Sequence, residues 1–186
     1  MNRAWKTSTT PATLGRQAEI SCSAVMQGTY KTGPGRVRQS HSMTSDSATP
    51  VRFDTKIAVL LRDDLQTWQR LNVTAFLVSG LGTELPETIG EPYADADGTG
   101  YLPLFRQPVL VFEGGKEVLK TAHSRALSRD LPRAVFIGDM FRTGHDADNR
   151  AAVRAVHGAD LDLVGLAVYG PRNAVDKVLK GARMHP

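Results

Sequence analysis

The chain has a single cysteine, Cys22, in 186 residues. That excludes an intramolecular disulfide and any cysteine-rich zinc site, and it suits a reducing compartment, so the cytoplasm is the expected location. Long apolar runs are missing too. Nothing approaches the roughly 20 residues of a membrane-spanning helix, and the N-terminus has no continuous apolar stretch of the secretory kind. The common phosphate-binding signatures are absent: there is no G-x-x-x-x-G-K-[ST], and "SGLGTELPETIG" follows a predicted helix rather than a strand. No serine sits in a nucleophile elbow. Asp95, Asp97 and Gly98 open like a calcium loop, but the twelfth position, where such a loop needs a Glu, is Arg106. No metal or cofactor is expected.

What is present begins with charge. The formal net charge is +4, which invites a nucleic-acid reading until the charges are located. Residues 1–45 hold Arg3, Lys6, Arg16, Lys31, Arg36 and Arg38 against Glu19 alone, a net of +5 that leaves −1 for the rest. The basicity belongs to the N-terminal segment. A domain that grips a phosphate backbone carries its own basic face, so nucleic acid is not an expected partner of the core. Residues 1–50 are rich in small polar residues and turn formers with no sustained period, and read as a disordered basic tail. Their Ser, Thr and Arg content also resembles a mitochondrial transit peptide.

From about residue 51 onward the pattern alternates. "KIAVLL" (56–61) suits a strand buried on both faces. Asp63 and Asp64 are N-cap candidates for a helix over 65–80, whose Leu65, Trp68, Leu71, Ala75 and Val78 recur at helical spacing as its core face. Strands follow at 108–114, 133–138 and 161–170, with helices at 116–129, after Asp146 or Asp148, and between Pro171 and Gly181. Residues 82–107 are too long for an ordinary connection, and their "YADADGTGYLPLF" suggests a hairpin or lid around Asp97-Gly98. Strands separated by helices imply an α/β domain over 51–186, a parallel or mixed sheet with helices on its faces.

The polar residues concentrate behind the third strand, in "GDMFRTGHDADN". Asp139 stands at a strand end, where α/β proteins bind ligands. Arg142 can grip a carboxylate or phosphate bidentately, or pair with Asp139 or Asp64. Thr143 can donate to a carbonyl, and His145 is the one residue type of the cluster whose unperturbed pKa lies near neutrality, which suits a general acid or base. His145 with Asp146 and Asp148 has ligand chemistry for a divalent metal, although acids so placed ordinarily cap a helix.

Three stretches carry a resemblance: "KIAVLLRDDL", "DLPRAVFIGDMFRTG" and "DLVGLAVYGPRNAVDKVLKG". In order and wording they resemble the type II (archaeal and eukaryotic) peptidyl-tRNA hydrolases. More closely they resemble an uncharacterised bacterial family, domain of unknown function two thousand, over about residues 53–184. The resemblance implies a small mixed β-sheet with helices on both faces, and a homodimer. It also implies site positions. The hydrolase helix carries G-K-I-A-A-Q-x-x-H-A with a catalytic Lys, and "NVTAFLVSG" aligned on it places Asn72 at the Lys, Phe76 at the Gln and Ser79 at the His. Asp139, Arg142 and Thr143 match the hydrolase loop, where Met140-Phe141 replaces Ala-Gly. Asn supplies neither the cation nor the proton of Lys.

The expected function is therefore a small-ligand-binding or regulatory domain, with a pocket between helix 65–80 and loop 139–145. Asn72, Ser79, Arg142 and Asp64 are the expected ligand-binding residues. The alternative is a diverged amide or ester hydrolase in which Asp139 positions water, His145 shuttles protons, and Thr143 with Arg142 stabilises the oxyanion. Peptidyl-tRNA hydrolysis itself ranks last.

Overall fold

The computed structural model describes residues 51–186, and the expected basic tail, residues 1–50, lies outside the described residues. Residues 51–186 carry as many Lys and Arg as Asp and Glu, a net charge of zero.

Strand β1 (Thr55–Arg62) is the axis of the domain. Its apolar run from Ile57 to Leu61 is 1% exposed or less, because it is covered on both faces. Around it the sheet is completed by β4 (Val109–Gly114), β5 (Arg133–Ile137), β6 (Leu163–Pro171) and the short β7 (Arg183–Met184), in the order β5-β6-β1-β4-β7. Only β1 and β4 run parallel, in register Ile57 to Val109; the β1–β6, β5–β6 and β4–β7 pairs are antiparallel, so the sheet is mixed.

Alternation along β1 divides the core in two. Ala58 and Leu60, with Leu166 and Val168 of β6, face helices α2 (Lys116–Ser128) and α4 (Arg172–Val178) through Leu119, Ala122, Val175 and Val178. Ile57, Val59 and Leu61 face helix α1 (Thr67–Glu84) through Val73, Leu77 and Leu81. The remaining helix, α3 (Asp146–Arg154), follows a 3-10 turn, Gly138–Arg142.

Helix α1 departs from expectation at its start and on its faces. It begins at Thr67 with Gln66 as N-cap, and the Gln69 side chain accepts the Gln66 backbone N–H at 2.9 Å. Asp64 caps nothing: it accepts from Arg62 Nε at 2.7 Å. The buried stripe is Val73, Leu77 and Leu81, whereas Trp68 and Leu71, expected in the core, are 56% and 69% exposed. The sheet beneath explains this phase. Gly165 of β6 leaves a hollow, and a Cβ there would lie 2.4 Å from Val73 Cγ1 and 2.9 Å from Leu77 Cδ1. The helix seats on the missing side chain.

The long connection contains the expected hairpin, β2 (Tyr93–Ala94) against β3 (Gly100–Tyr101). Asp95 organises its turn, accepting the N–H groups of Asp97 (3.0 Å) and Thr99 (2.8 Å) and the Tyr101 hydroxyl (2.8 Å). These bonds, the Tyr101 hydroxyl foremost, hold the Asp95 carboxyl below its usual range. At the C-terminus, α4 stops at Val178 and Gly181, at φ +101°, turns the chain into β7. Two residues are too few to show a strand period, so β7 was not foreseen. No helix among the described residues is long and apolar enough to cross a membrane.

Candidate functional site

Past Ile137 the chain must leave the sheet tightly, since Gly138 donates its N–H to Asp162 O at 2.9 Å. A Cβ at 138 would lie 2.8 Å from Asp162 Oδ2, so glycine permits this approach. The 3-10 turn that follows carries Phe141 toward the outer face of α1. Between α1 and the turn-plus-α3 segment lies a cavity of about 760 Å³.

Its wall is aromatic. Trp68 stands edge-on to Phe141 with centroids 5.7 Å apart, Phe141 lies 5.1 Å from Phe136 of β5, and Phe136 lies 5.7 Å from Phe76. Such edge and tilted contacts match the ring quadrupoles and hold the four rings in fixed orientations. Trp68 and Phe76 are still half exposed, so the wall is open to solvent.

The rim is polar. Thr143 Oγ1 lies 2.8 Å from the Met140 carbonyl and also bonds Asn149 Oδ1, which ties the turn to α3. His145 is the N-cap of α3: its Nδ1 accepts the Asp148 N–H at 3.4 Å, and its Nε2 faces Asp148 Oδ2 at 3.3 Å. With Nδ1 as acceptor, the neutral ring carries its proton on Nε2, toward the carboxylate. Asp146, also on the rim, pairs with Arg150. No group of three or more His, Cys, Asp or Glu side chains converges among the described residues. Ser79 Oγ donates to the Phe76 carbonyl at 2.8 Å. Asn72 and Arg154 make no side-chain hydrogen bond or ion pair among the described residues, leaving amide and guanidinium donors at the cavity.

Four of the seven residues singled out from sequence therefore line one cavity: Asn72, Ser79, Thr143 and His145. Three do not. Asp139 and Arg142 are exposed on the outer side of the turn and approach only each other, at 4.0 Å. In the turn, Met140 and Phe141 point inward, and this puts Asp139 and Arg142 outward. Asp64 sits beyond β1 in a charged cluster where Asp162 accepts from Lys116 Nζ (2.9 Å) and Arg62 Nη1 (3.0 Å). The Lys116 bond, ahead of Arg62, keeps the Asp162 carboxyl below its usual range.

Sequence reasoning missed Trp68, Phe76, Phe136 and Phe141 as cavity residues, and Arg150 and Arg154 on its rim. The available signal was bulk. Phe141 is a large apolar residue in a largely polar loop, and α1 has more apolar residues than one buried stripe uses.

Comparison with known proteins adds a family and no activity. A family model described as "Protein of unknown function (DUF2000)" matches residues 55–186. A solved structure of a protein of unknown function from Agrobacterium tumefaciens strain C58 is 48% identical, with a TM-score of 0.70 over 73% of this chain and 100% of that one. No curated protein matches. The match over the whole described domain, joined to that identity, places the chain in the DUF2000 family of proteins of unknown function.

Proposed function

We propose that the protein is a binding domain for a small, partly apolar molecule, held in the cavity between α1 and α3. One observation carries this reading: four aromatic rings form an open wall beside the unpaired donors of Asn72 and Arg154. Exposed aromatic surface gains about 25 cal/mol per Å² when a ligand covers it. A few polar groups around an apolar hollow are the usual form of a small-molecule site. The ligand that fits has a flat body and an acceptor or anionic head.

The test uses anilinonaphthalene sulfonate, a flat aromatic anion. Its fluorescence should rise saturably with the protein, and binding should weaken about tenfold in Trp68→Ala and in Arg154→Ala. Unchanged binding in both variants would refute the site.

A second reading, a diverged amide or ester hydrolase, is supported by the His145–Asp148 couple at the rim. In it His145 moves the proton and Thr143 touches the substrate carbonyl. Arg142 and Asp139, the residues that sequence alone assigns to oxyanion and water, would reach the cavity only if the turn rearranged. Hydrolysis of p-nitrophenyl butyrate that vanishes in His145→Ala and survives in Asp139→Ala would establish this version. Loss in Asp139→Ala instead, with the fold intact, would assign the water-positioning role to Asp139. A scaffold of the type II peptidyl-tRNA hydrolase kind remains part of the proposal, supported by the mixed sheet with helices on both faces. Peptidyl-tRNA itself ranks last, given the zero net charge of the domain and Asn72 at the Lys position. The homodimer also belongs to the proposal, with the exposed Leu71 supporting an apolar contact on α1.

A further inference from the structure

A second cavity, of about 510 Å³, opens at the start of β1 and shares no residue with the first. Phe53 and Leu110 give it apolar walls, and Arg52, Lys56, Gln107 and Arg172 its polar ones; no Asp or Glu lines it. Two of these polar residues are more than nine-tenths buried. Lys56 is already neutralised by Asp176. Gln107 is only half served: its Oε1 accepts from Thr55 Oγ1 at 2.9 Å, while its Nε2 is buried with no partner. A buried amide NH2 without an acceptor is rare in folded proteins and asks for an explanation. Beside it, the Arg52 and Arg172 guanidinium groups make no hydrogen bond or ion pair among the described residues. The Arg172 backbone is fixed by its N–H bond to Asp54 O at 2.9 Å.

An orphaned donor and two unpaired guanidinium groups, with no acid among them, share one need: oxygen lone pairs carrying negative charge. We propose that this cavity binds the oxyanion, carboxylate or phosphate, of a small molecule with a short apolar body. Arg52 and Arg172 hold the oxygens by charge-assisted bonds, Gln107 Nε2 donates a further one, and Phe53 with Leu110 covers the apolar part. The Lys56–Asp176 pair contributes no net charge, so the two arginines set the charge the ligand must bring.

Calorimetric titration of the full chain tests this, with inorganic phosphate in one arm and butyrate in the other, chloride holding the ionic strength constant. Saturable binding of either probe is the expected result. Preference for phosphate identifies a dianionic head, and preference for butyrate a carboxylate whose tail uses the apolar wall. Arg172→Ala and Gln107→Leu should each weaken binding about tenfold or more, the value of one charge-assisted hydrogen bond. Arg52→Ala, at an exposed residue, should do the same without touching the core. Gln107→Leu removes the orphaned donor and also the acceptor of the Thr55 hydroxyl, so its melting temperature is read beside its affinity to separate folding from binding. Neither Arg52 nor Arg172 lines the aromatic cavity, so loss of binding in those variants assigns the probes to this site. The proposal is overturned if neither probe saturates, or if Arg52→Ala and Arg172→Ala bind as tightly as the wild type.

Discussion

Gly165 and Leu71 show how single positions set the face that α1 presents. The hollow at Gly165 admits Val73 and Leu77, and a methyl group there would overlap both. Gly165→Ala should therefore destabilise the domain by about 1–3 kcal/mol through overpacking, read as a lower midpoint in urea. Leu77→Ala, at a residue 2% exposed, should cost about 2–5 kcal/mol. Leu71→Ala, at a position whose helical spacing predicts the core but which is exposed, should change stability by less than about 0.5 kcal/mol. The apolar period in α1 was legible in the sequence, but its phase was not. Apolar residues occupy more than one stripe of this helix, and the choice among them is made by a glycine on a strand nearly a hundred residues away. The same surplus explains why Trp68 was assigned to the core rather than to a ligand wall. Asp139 was misplaced for a related reason: strand-end position is readable from sequence, but the inward side of a 3-10 turn is decided by whichever residues find apolar contacts. Met140 and Phe141 find them.

At the scale of elements, β4, α1 and β7 are joined by one carboxylate. Glu113 accepts from Arg70 Nη1 at 2.6 Å and from Arg183 Nε at 2.7 Å, and Arg70 Nη1 also lies 3.0 Å from His185 Nε2. The Arg70 bond first, then that of Arg183, holds the Glu113 carboxyl below its ordinary value of 4.5. A carboxylate whose pKa is depressed by folding stabilises the native state above its unfolded pKa, and that contribution is lost as the pH falls toward the folded value. His123 of α2 acts earlier on the same descent. Burial, with Arg133 as the smaller cause, pulls its pKa below the ordinary 6.5, so the native state resists protonation and loses stability as the pH drops below that point. Urea midpoints should thus fall in two stages on acidification, the first starting near 6.5 and the second near 4.5. His123→Gln should remove the first stage, and Glu113→Gln should shrink the second, leaving the part that Asp95 and Asp162 contribute; a second stage unchanged in Glu113→Gln, or a first stage unchanged in His123→Gln, would contradict the assignment. The strands and helices that frame these groups were readable from apolar runs and caps. The arginine clasp was not, because β7 is two residues long and its partner Arg70 is separated from Glu113 by 43 positions.

The whole chain divides by charge more sharply than its overall +4 suggests. Residues 51–186 are neutral, so the entire excess rests on residues 1–50. Two consequences separate cleanly by deletion. The sheet, both cores and both cavities are formed by residues 51–186, so a chain starting at Val51 should melt within about 2 °C of the full protein, no more than the shift of a 1 kcal/mol change. Any affinity for nucleic acid should go with the deleted segment, since counterion release scales with the number of cations that meet phosphates. The full chain should bind a random RNA oligonucleotide weakly at low salt, with affinity falling linearly in log salt concentration, and the shortened chain should not bind at all. Retention of that binding by residues 51–186 would mean that Arg150, Arg154 and their neighbours form a basic face despite the zero net charge, and would return the rim of the aromatic cavity to consideration as a phosphate contact.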